Sequence, residues 1–211
     1  TAASLAAPSH LGSTLLPTML SHHDIAYFSL EIGLDHRIPT YSGGLGVLAG
    51  DTVRAAADLG LPFVGVTLLY RHGYFNQQLD DRGRQTETAY SWDPSELLEP
   101  LDCYVSLPIE GRDVYIRPWR LEVRGDTGRR VFVYFLDTDL PQNDPRDRSI
   151  THALYAGDQA WRLKQEAVLG IGGRRMVRAL GHNPGVFHMN EGHAGFLALE
   201  RLREHVDASR L

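Results

Sequence analysis

At 211 residues the chain has material for one large domain or two small ones, and 43% hydrophobic with 22% charged content implies a packed core. A formal net charge of −5 removes the broad basic field that nucleic-acid binding needs, and no apolar run reaches membrane-spanning length. The one cysteine, Cys103, excludes an intramolecular disulfide framework and is expected as a buried thiol in a reducing compartment, the cytoplasm.

The start, TAASLAAPSHLGSTLLPTML, is small and apolar without a basic region, so residues 1–24 read as a weakly ordered lead-in and not as a signal peptide. Thr1 in place of methionine is expected of a processed or cut chain. IAYFSL (25–30) has the short apolar, aromatic pattern of a buried strand, followed by a polar loop. A helix is expected over 45–59, with Leu45, Leu48, Val53, Ala56 and Leu59 on one broad face and Gly60 as its stop. PFVGVTLLY (62–70) reads as a second buried strand. Strand, glycine loop, helix and strand together seed a parallel sheet.

From Phe75 to Asp137 the residues alternate and are rich in β-branched and aromatic side chains, with turn signals at EGRD and RGDTGR. The expectation is a mostly antiparallel β insertion. Helical periodicity returns after Thr151, with a long amphipathic helix over 159–180 whose Gly170, Gly172 and Gly173 imply close packing. GVFHMNEGH reads as a strand entering a loop, and 194–205 as a last helix.

PTYSGGLGVLAGD (39–51) places Gly43, Gly44, Gly46 and Gly50 at a helix start, where four glycines are unfavourable unless something must approach the backbone. Tight helix–sheet packing is one reading. A dinucleotide fingerprint is a second, but a polar loop intervenes after the strand and no acid closes the next one. The third is an anion site of bare amides facing a phosphate. HMNEGH (188–193) has histidines around a glutamate, yet its spacing matches no zinc motif. The readings are a polar sugar-binding rim of Asn190, Glu191 and His193, or a helix start capped by Asn190 or Glu191. Asp158 reads as a helix cap, Arg162 and Glu166 as a surface pair at i, i+4, and Arg71 and His72 as following a strand end.

Four segments in order, AYFSLEIGLDHRIPTYSGGLGVLAGD, DLGLPFVGVTLLYRHGYFNQ, LYAGDQAWRLKQEAVLGIGGRR and FHMNEGHAGFLALE, resemble the α-glucan phosphorylases, the glycogen and maltodextrin type, most of all the short bacterial and archaeal form. The resemblance implies an α/β fold: a Rossmann-like N-terminal domain of a GT-B glycosyltransferase, occupying 25–211 with the β-rich insertion at 75–137 and lacking the C-terminal cofactor domain. It implies transfer of a terminal glucosyl unit of an α-1,4-glucan to inorganic phosphate, giving glucose 1-phosphate with pyridoxal phosphate as cofactor.

By the same resemblance Gly43, Gly44 and Leu45 match the segment whose amides meet phosphate and glucose. Asp158 and Gln159 match the acid–amide pair of a gating loop. Asn190, Glu191 and His193 match the cleft-lining loop, and Glu31 a carboxylate at the cleft wall. Gly33 stands where long-type members have an aromatic residue. The lysine that carries the cofactor lies in the missing domain; the chain's only lysine, Lys164, sits in RLKQE. The isolated chain is therefore expected to be inactive, and a homodimer is a further expectation. The alternatives are a glycogen or starch synthase-like domain, against which Tyr41 stands where synthases place a lysine, and a non-catalytic glycan-binding module.

Overall fold

The computed structural model describes residues 24–209 apart from Phe75, Ala89 and Ala156. The lead-in expected over 1–24 lies outside the described residues as far as residue 23. Strand β1 (Ile25–Ser29) leads through a loop to helix α1 (Gly44–Leu59) and strand β2 (Phe63–Leu68). A small hairpin, β3 (Asn76–Leu79) and β4 (Gln85–Thr88), precedes β5 (Glu99–Pro100), β6 (Val105–Ile109), β7 (Arg112–Arg124) and β8 (Arg130–Asp137). Then come α2 (Pro145–Arg148), α3 (Gln159–Ala167), α4 (Gly173–Ala179), β9 (Val186–Asn190) and α5 (Phe196–Ala208).

Seven strands form one sheet in the order β5-β7-β8-β2-β1-β9, with β6 also on β7. Strands β8, β2, β1 and β9 run parallel, while β7 is antiparallel to β8. The antiparallel character expected over 75–137 therefore stops at β8, which joins the parallel sheet beside β2 with Val64 opposite Phe132. Strand β7 is long enough to serve two neighbours: Arg112 to Ile116 pair with β6, and Arg117 to Arg124 with β8.

Alternation along β1 explains the layers. Ala26 and Phe28 enter one apolar cluster with Val168, Met176 and Leu197, from the α3–α5 side. Tyr27 enters a second cluster with Ala49, Val53 and Ala57 of α1 and Val133, Phe135 and Trp119. Both faces are thus covered, as a parallel sheet requires.

Helix α1 ends at Gly60, whose left-handed φ of 63° lets its amide reach the carbonyls of Ala56 and Ala57. Its buried face differs from the expected one. Leu48 is 58% exposed and Leu59 71% exposed, while Gly46, Ala49, Gly50, Val53, Ala56 and Ala57 are buried. Small residues replace leucine there because α1 lies against the loop before it: a Cβ on Gly50 would sit 2.0 Å from the Gly33 carbonyl oxygen. The long helix expected over 159–180 is interrupted by a π-helical turn at Val168–Gly172. Gly170 in that turn meets α5, where an added Cβ would lie 2.5 Å from the Leu197 nitrogen, so the close packing expected of these glycines is present.

Candidate functional site

The chain passes from β1 outward through β2 to β8, then returns to set β9 on the other side of β1. That reversal opens a crevice at the carboxyl ends of β1 and β9, the place where open α/β sheets bind ligands. Backbone strain gathers there. Tyr70 (φ 49°), Tyr155 (φ 58°) and Glu191 (φ 68°) all take left-handed conformations near this edge, each at a cost on the order of 1–3 kcal/mol.

Glu31 is buried just past β1, and both of its oxygens are engaged. Oε2 accepts from the amides of Ser42 at 2.7 Å and Gly43 at 3.3 Å. Oε1 accepts from the Tyr155 hydroxyl. Desolvation by burial, together with this bond, raises the Tyr155 phenol well above its ordinary pKa. The Arg162 guanidinium lies 5.2 Å from the Tyr155 ring centre and within hydrogen-bonding distance of His193 Nε2. The Tyr74 and His193 rings stand 6.3 Å and 6.5 Å from the Tyr155 ring. Tyr70 is fully buried, its hydroxyl without a hydrogen-bond partner among the described residues, and burial raises its pKa strongly.

The four loop glycines separate into two kinds. Gly46 and Gly50 answer to packing, since added Cβ atoms would fall 2.3 Å from Tyr41 Cβ and 2.0 Å from the Gly33 oxygen. Gly43 and Gly44 are exposed, and added Cβ atoms there would meet no atom within 4 Å. No side chain caps α1, and its first ladder bond runs from the Val47 amide to the Gly43 carbonyl. The amides of Gly44, Leu45 and Gly46 consequently have no partner within the helix.

Asp158 accepts from the Trp161 amide at 2.9 Å and so caps α3, as its position implied. With Gln159, Tyr155, Gly157 and Arg162 it lines an open cavity of 370 Å³. Asn190 is buried, donating from Nδ2 to Ser29 Oγ at 3.1 Å, while Ser29 Oγ donates to the Glu31 carbonyl at 2.6 Å. It seams β9 to β1. Glu191 is exposed and forms no cap bond. Glu31, Gly43, Asp158, Gln159 and His193 thus gather around Tyr155, with Gly44 and Leu45 beside Gly43, whereas Asn190 and Glu191 stand at the strand end.

Two central residues escaped sequence reasoning. Tyr155 lies inside LYAGDQ, but no periodicity or spacing separates it from an ordinary loop tyrosine. Arg162 was read as a surface partner of Glu166; that contact exists at 3.5 Å, yet Arg162 also reaches His193 and Tyr155. Arg71 proves to be structural in its main contacts, pairing with the buried Asp137 at 2.7 Å and Asp139 at 3.4 Å.

Fold and site together define an α/β domain with a polar, tyrosine-rich crevice at the carboxyl edge of a parallel sheet. Its relatives are more specific. The chain is 44% identical over 185 residues to the maltodextrin phosphorylase of Thermococcus litoralis, and 46% over 194 residues to the glycogen phosphorylase of Mycobacterium tuberculosis. It is 36% identical over 188 residues to the glycogen phosphorylase of Aquifex aeolicus. These matches cover 84%, 85% and 84% of the chain but only 22%, 22% and 26% of the relatives' own lengths. No family model matches the chain. Over the matched stretch the chain is a relative of the glycogen and maltodextrin phosphorylases, and these names favour that reading over a synthase or a glycan-binding module.

Proposed function

We propose that this chain forms one wall of the phosphorolytic cleft of an α-glucan phosphorylase, as the Rossmann-like N-terminal domain of a GT-B enzyme. The relatives' names support the activity, and the parallel sheet covered on both faces supports the domain type. The observation that carries the reading is the open space over Gly43 and Gly44 beside uncapped amides of α1. Amides at a helix start attract a phosphate without adding a full countercharge, which suits an anion that must bind and leave.

In this reading the Gly44 and Leu45 amides hold the phosphate and the transferred glucosyl unit. Glu31 orients the Ser42–Gly43 segment through its two amide bonds, so the glycine turn is shaped before substrate arrives. Asp158, Gln159 and His193 offer donors and acceptors for sugar hydroxyls, with Asn190 and Glu191 at the rim. The glucosyl unit is transferred to phosphate with retained configuration through an oxocarbenium-like state, so dipoles fixed near the anomeric carbon matter most.

Pyridoxal phosphate does not fit the described residues. Lys164 Nζ is paired with Glu110 at 2.7 Å beside a cavity lined by Leu107, Ile109 and Phe196, and the chain's only lysine does not line the cavity that holds Tyr155 and Asp158. We place the cofactor's anchor in a further domain and expect the isolated chain to be inactive in the cytoplasm-type setting its single thiol suggests. Titrating inorganic phosphate and glucose 1-phosphate into the chain, followed by amide NMR, is the test. Saturable shifts at Gly44 and Leu45 are expected. Their absence at millimolar ligand would overturn the phosphate site, and robust glucose 1-phosphate release by the chain alone would overturn its inactivity.

A further inference from the structure

Arg162 stands on the first turn of α3 and reaches three neighbours. Its Nε lies 3.5 Å from Glu166 Oε1, one turn further along the same helix. Its guanidinium carbon lies 5.2 Å from the centre of the Tyr155 ring. Its Nη2 is within hydrogen-bonding distance of Nε2 of His193, which sits on the short turn Gly192–Ala194 between β9 and α5. The contact with Glu166 is longer than the one with His193, so the i, i+4 pair is the lesser of the two polar contacts.

The partner fixes the state of the imidazole. A guanidinium is always protonated and has N–H donors only. A ring nitrogen facing it at this distance must accept, so the tautomer is assigned from the partner's chemistry: Nε2 carries the lone pair, Nδ1 carries the proton and the ring is neutral. A free histidine side chain favours the other tautomer. Nδ1 is moreover buried and has no hydrogen-bond partner among the described residues. An N–H buried in this way is unfavourable, and the guanidinium opposite Nε2 is what keeps the proton there.

The open cavity of 370 Å³ distinguishes the two residues. Tyr155, Gly157, Asp158, Gln159 and Arg162 line it, and His193 does not. Arg162 is the one cation of that lining, and its side chain is 45% exposed. Nη2 is given to His193 and Nε faces Glu166, while Nη1 has no hydrogen bond among the described residues. Asp158, in the same lining, gives Oδ1 to the Trp161 amide and keeps Oδ2. His193 has no acceptor left to offer, and its one donor is shielded from solvent.

We propose that Arg162 is the ligand-facing donor of this crevice and that His193 is its positioning residue, serving sugar or phosphate oxygens through Arg162 and not by its own nitrogens. The Nε2 lone pair, the Glu166 carboxylate and the Tyr155 ring hold the guanidinium in one orientation, so its free Nη1 edge is set before a ligand arrives. The chemistry recognised is an acceptor oxygen, of a hydroxyl or of a phosphate. The proposal rests on the phosphorylase reading for the identity of that ligand; the state of His193 does not depend on it.

Nitrogen NMR of the histidine rings and arginine side chains in the full chain is the test. In the unsubstituted protein at neutral pH, His193 is expected to show a protonated Nδ1 and an accepting Nε2; a protonated Nε2 overturns the proposal without recourse to any variant. Glucose and inorganic phosphate, added separately, tell which oxygen is met. A saturable shift of the Arg162 Nε signal with either probe is expected, and its absence with both overturns the ligand-facing role. With the responding probe read from the Gly157 amide, Arg162→Met is expected to weaken binding about tenfold, as loss of one charge-assisted hydrogen bond implies, and to move the His193 proton to Nε2. His193→Gln keeps an acceptor oxygen for the guanidinium and is expected to bind within about twofold of the parent, whereas His193→Phe should fall as far as Arg162→Met. The double variant Arg162→Met with His193→Phe should bind no worse than Arg162→Met alone. Additive losses would mean that His193 meets the ligand directly and would overturn the proposal. A response of Arg162 to glucose, with no phosphate response at Gly44, keeps this assignment and removes the phosphate site of the phosphorylase reading.

Discussion

The Tyr155 hydroxyl donates to Oε1 of Glu31, and the residues before α3 are thereby tied to the carboxyl end of β1 across 124 positions of sequence. The same carboxylate holds the Ser42 and Gly43 amides, so one buried side chain shapes the glycine turn and tethers the segment carrying Asp158. Tyr155→Phe leaves a buried carboxylate short of one donor and is expected to cost about 1–3 kcal/mol in urea unfolding at neutral pH. The tyrosine's pKa is raised in the folded state, so its contribution is fully present below the unfolded value and is lost as pH rises through the folded one. The gap between the two proteins should narrow only above about pH 10. Equal stability at pH 7 would remove the tether.

The four glycines before and within α1 give a paired prediction. Gly46→Ala and Gly50→Ala place a methyl 2.3 Å from Tyr41 Cβ and 2.0 Å from a carbonyl oxygen, and should destabilise by about 1–3 kcal/mol or more. Gly43→Ala and Gly44→Ala meet nothing within 4 Å and should fall within about 0.5 kcal/mol of the parent. Thermal unfolding reads the first contrast. Phosphate titration reads the second, with binding weakened by Gly44→Ala although stability is kept. A Gly44→Ala chain that binds phosphate unchanged would count against the loop as the phosphate wall.

Local pattern carried much of the fold into view. The apolar runs of β1, β2 and β9 appear as strands, and Gly60 ends α1 because a left-handed turn there is open to glycine. Pattern fails where packing partners decide. Leu48 and Leu59 follow helical spacing, yet the approach of Gly33 and Tyr41 demands small residues on the buried face. The parallel placement of β8 depends on Val64 meeting Phe132 across the sheet, a pairing that alternation within 130–137 does not encode. In the site, Glu31, Gly43, Asp158 and His193 were legible through motif order. Tyr155 and Arg162 were not, because their roles come from contacts made over long separations in the chain.

Asp137 ends β8 fully buried, with Arg71 Nη2 at 2.7 Å and the Trp119 indole NH at 3.0 Å from Oδ2. Arg117 stands 3.9 Å from the same oxygen. Asp137→Asn removes the charge that these guanidinium groups face and is expected to cost about 3–5 kcal/mol in denaturant unfolding. Combining it with Arg71→Met should recover part of that loss, since one uncompensated cation goes with the anion. A double variant no more stable than Asp137→Asn alone would show that the indole bond, and not the charge, dominates.

Glu200 on α5 supplies the clearest acid dependence. Its carboxylate is buried against α4, accepting from Arg175 at 2.9 Å and from Arg203 at 2.7 Å. Burial alone would raise its pKa, but the hydrogen bonds from Arg203 and Arg175 outweigh that effect and hold it at about 2. A carboxylate depressed in the folded state contributes stability above its unfolded pKa, and that contribution is lost as pH falls through the folded one. The window is therefore about pH 4.5 down to 2, and the amount about 1–3 kcal/mol after solvent screening. Glu200→Gln should lower stability at pH 7 and flatten the decline across that window, as read from urea midpoints at successive pH values. Parallel pH profiles for the two proteins would mean that acid sensitivity arises elsewhere, with Arg175 satisfied by its 2.6 Å bond to the Ser106 carbonyl.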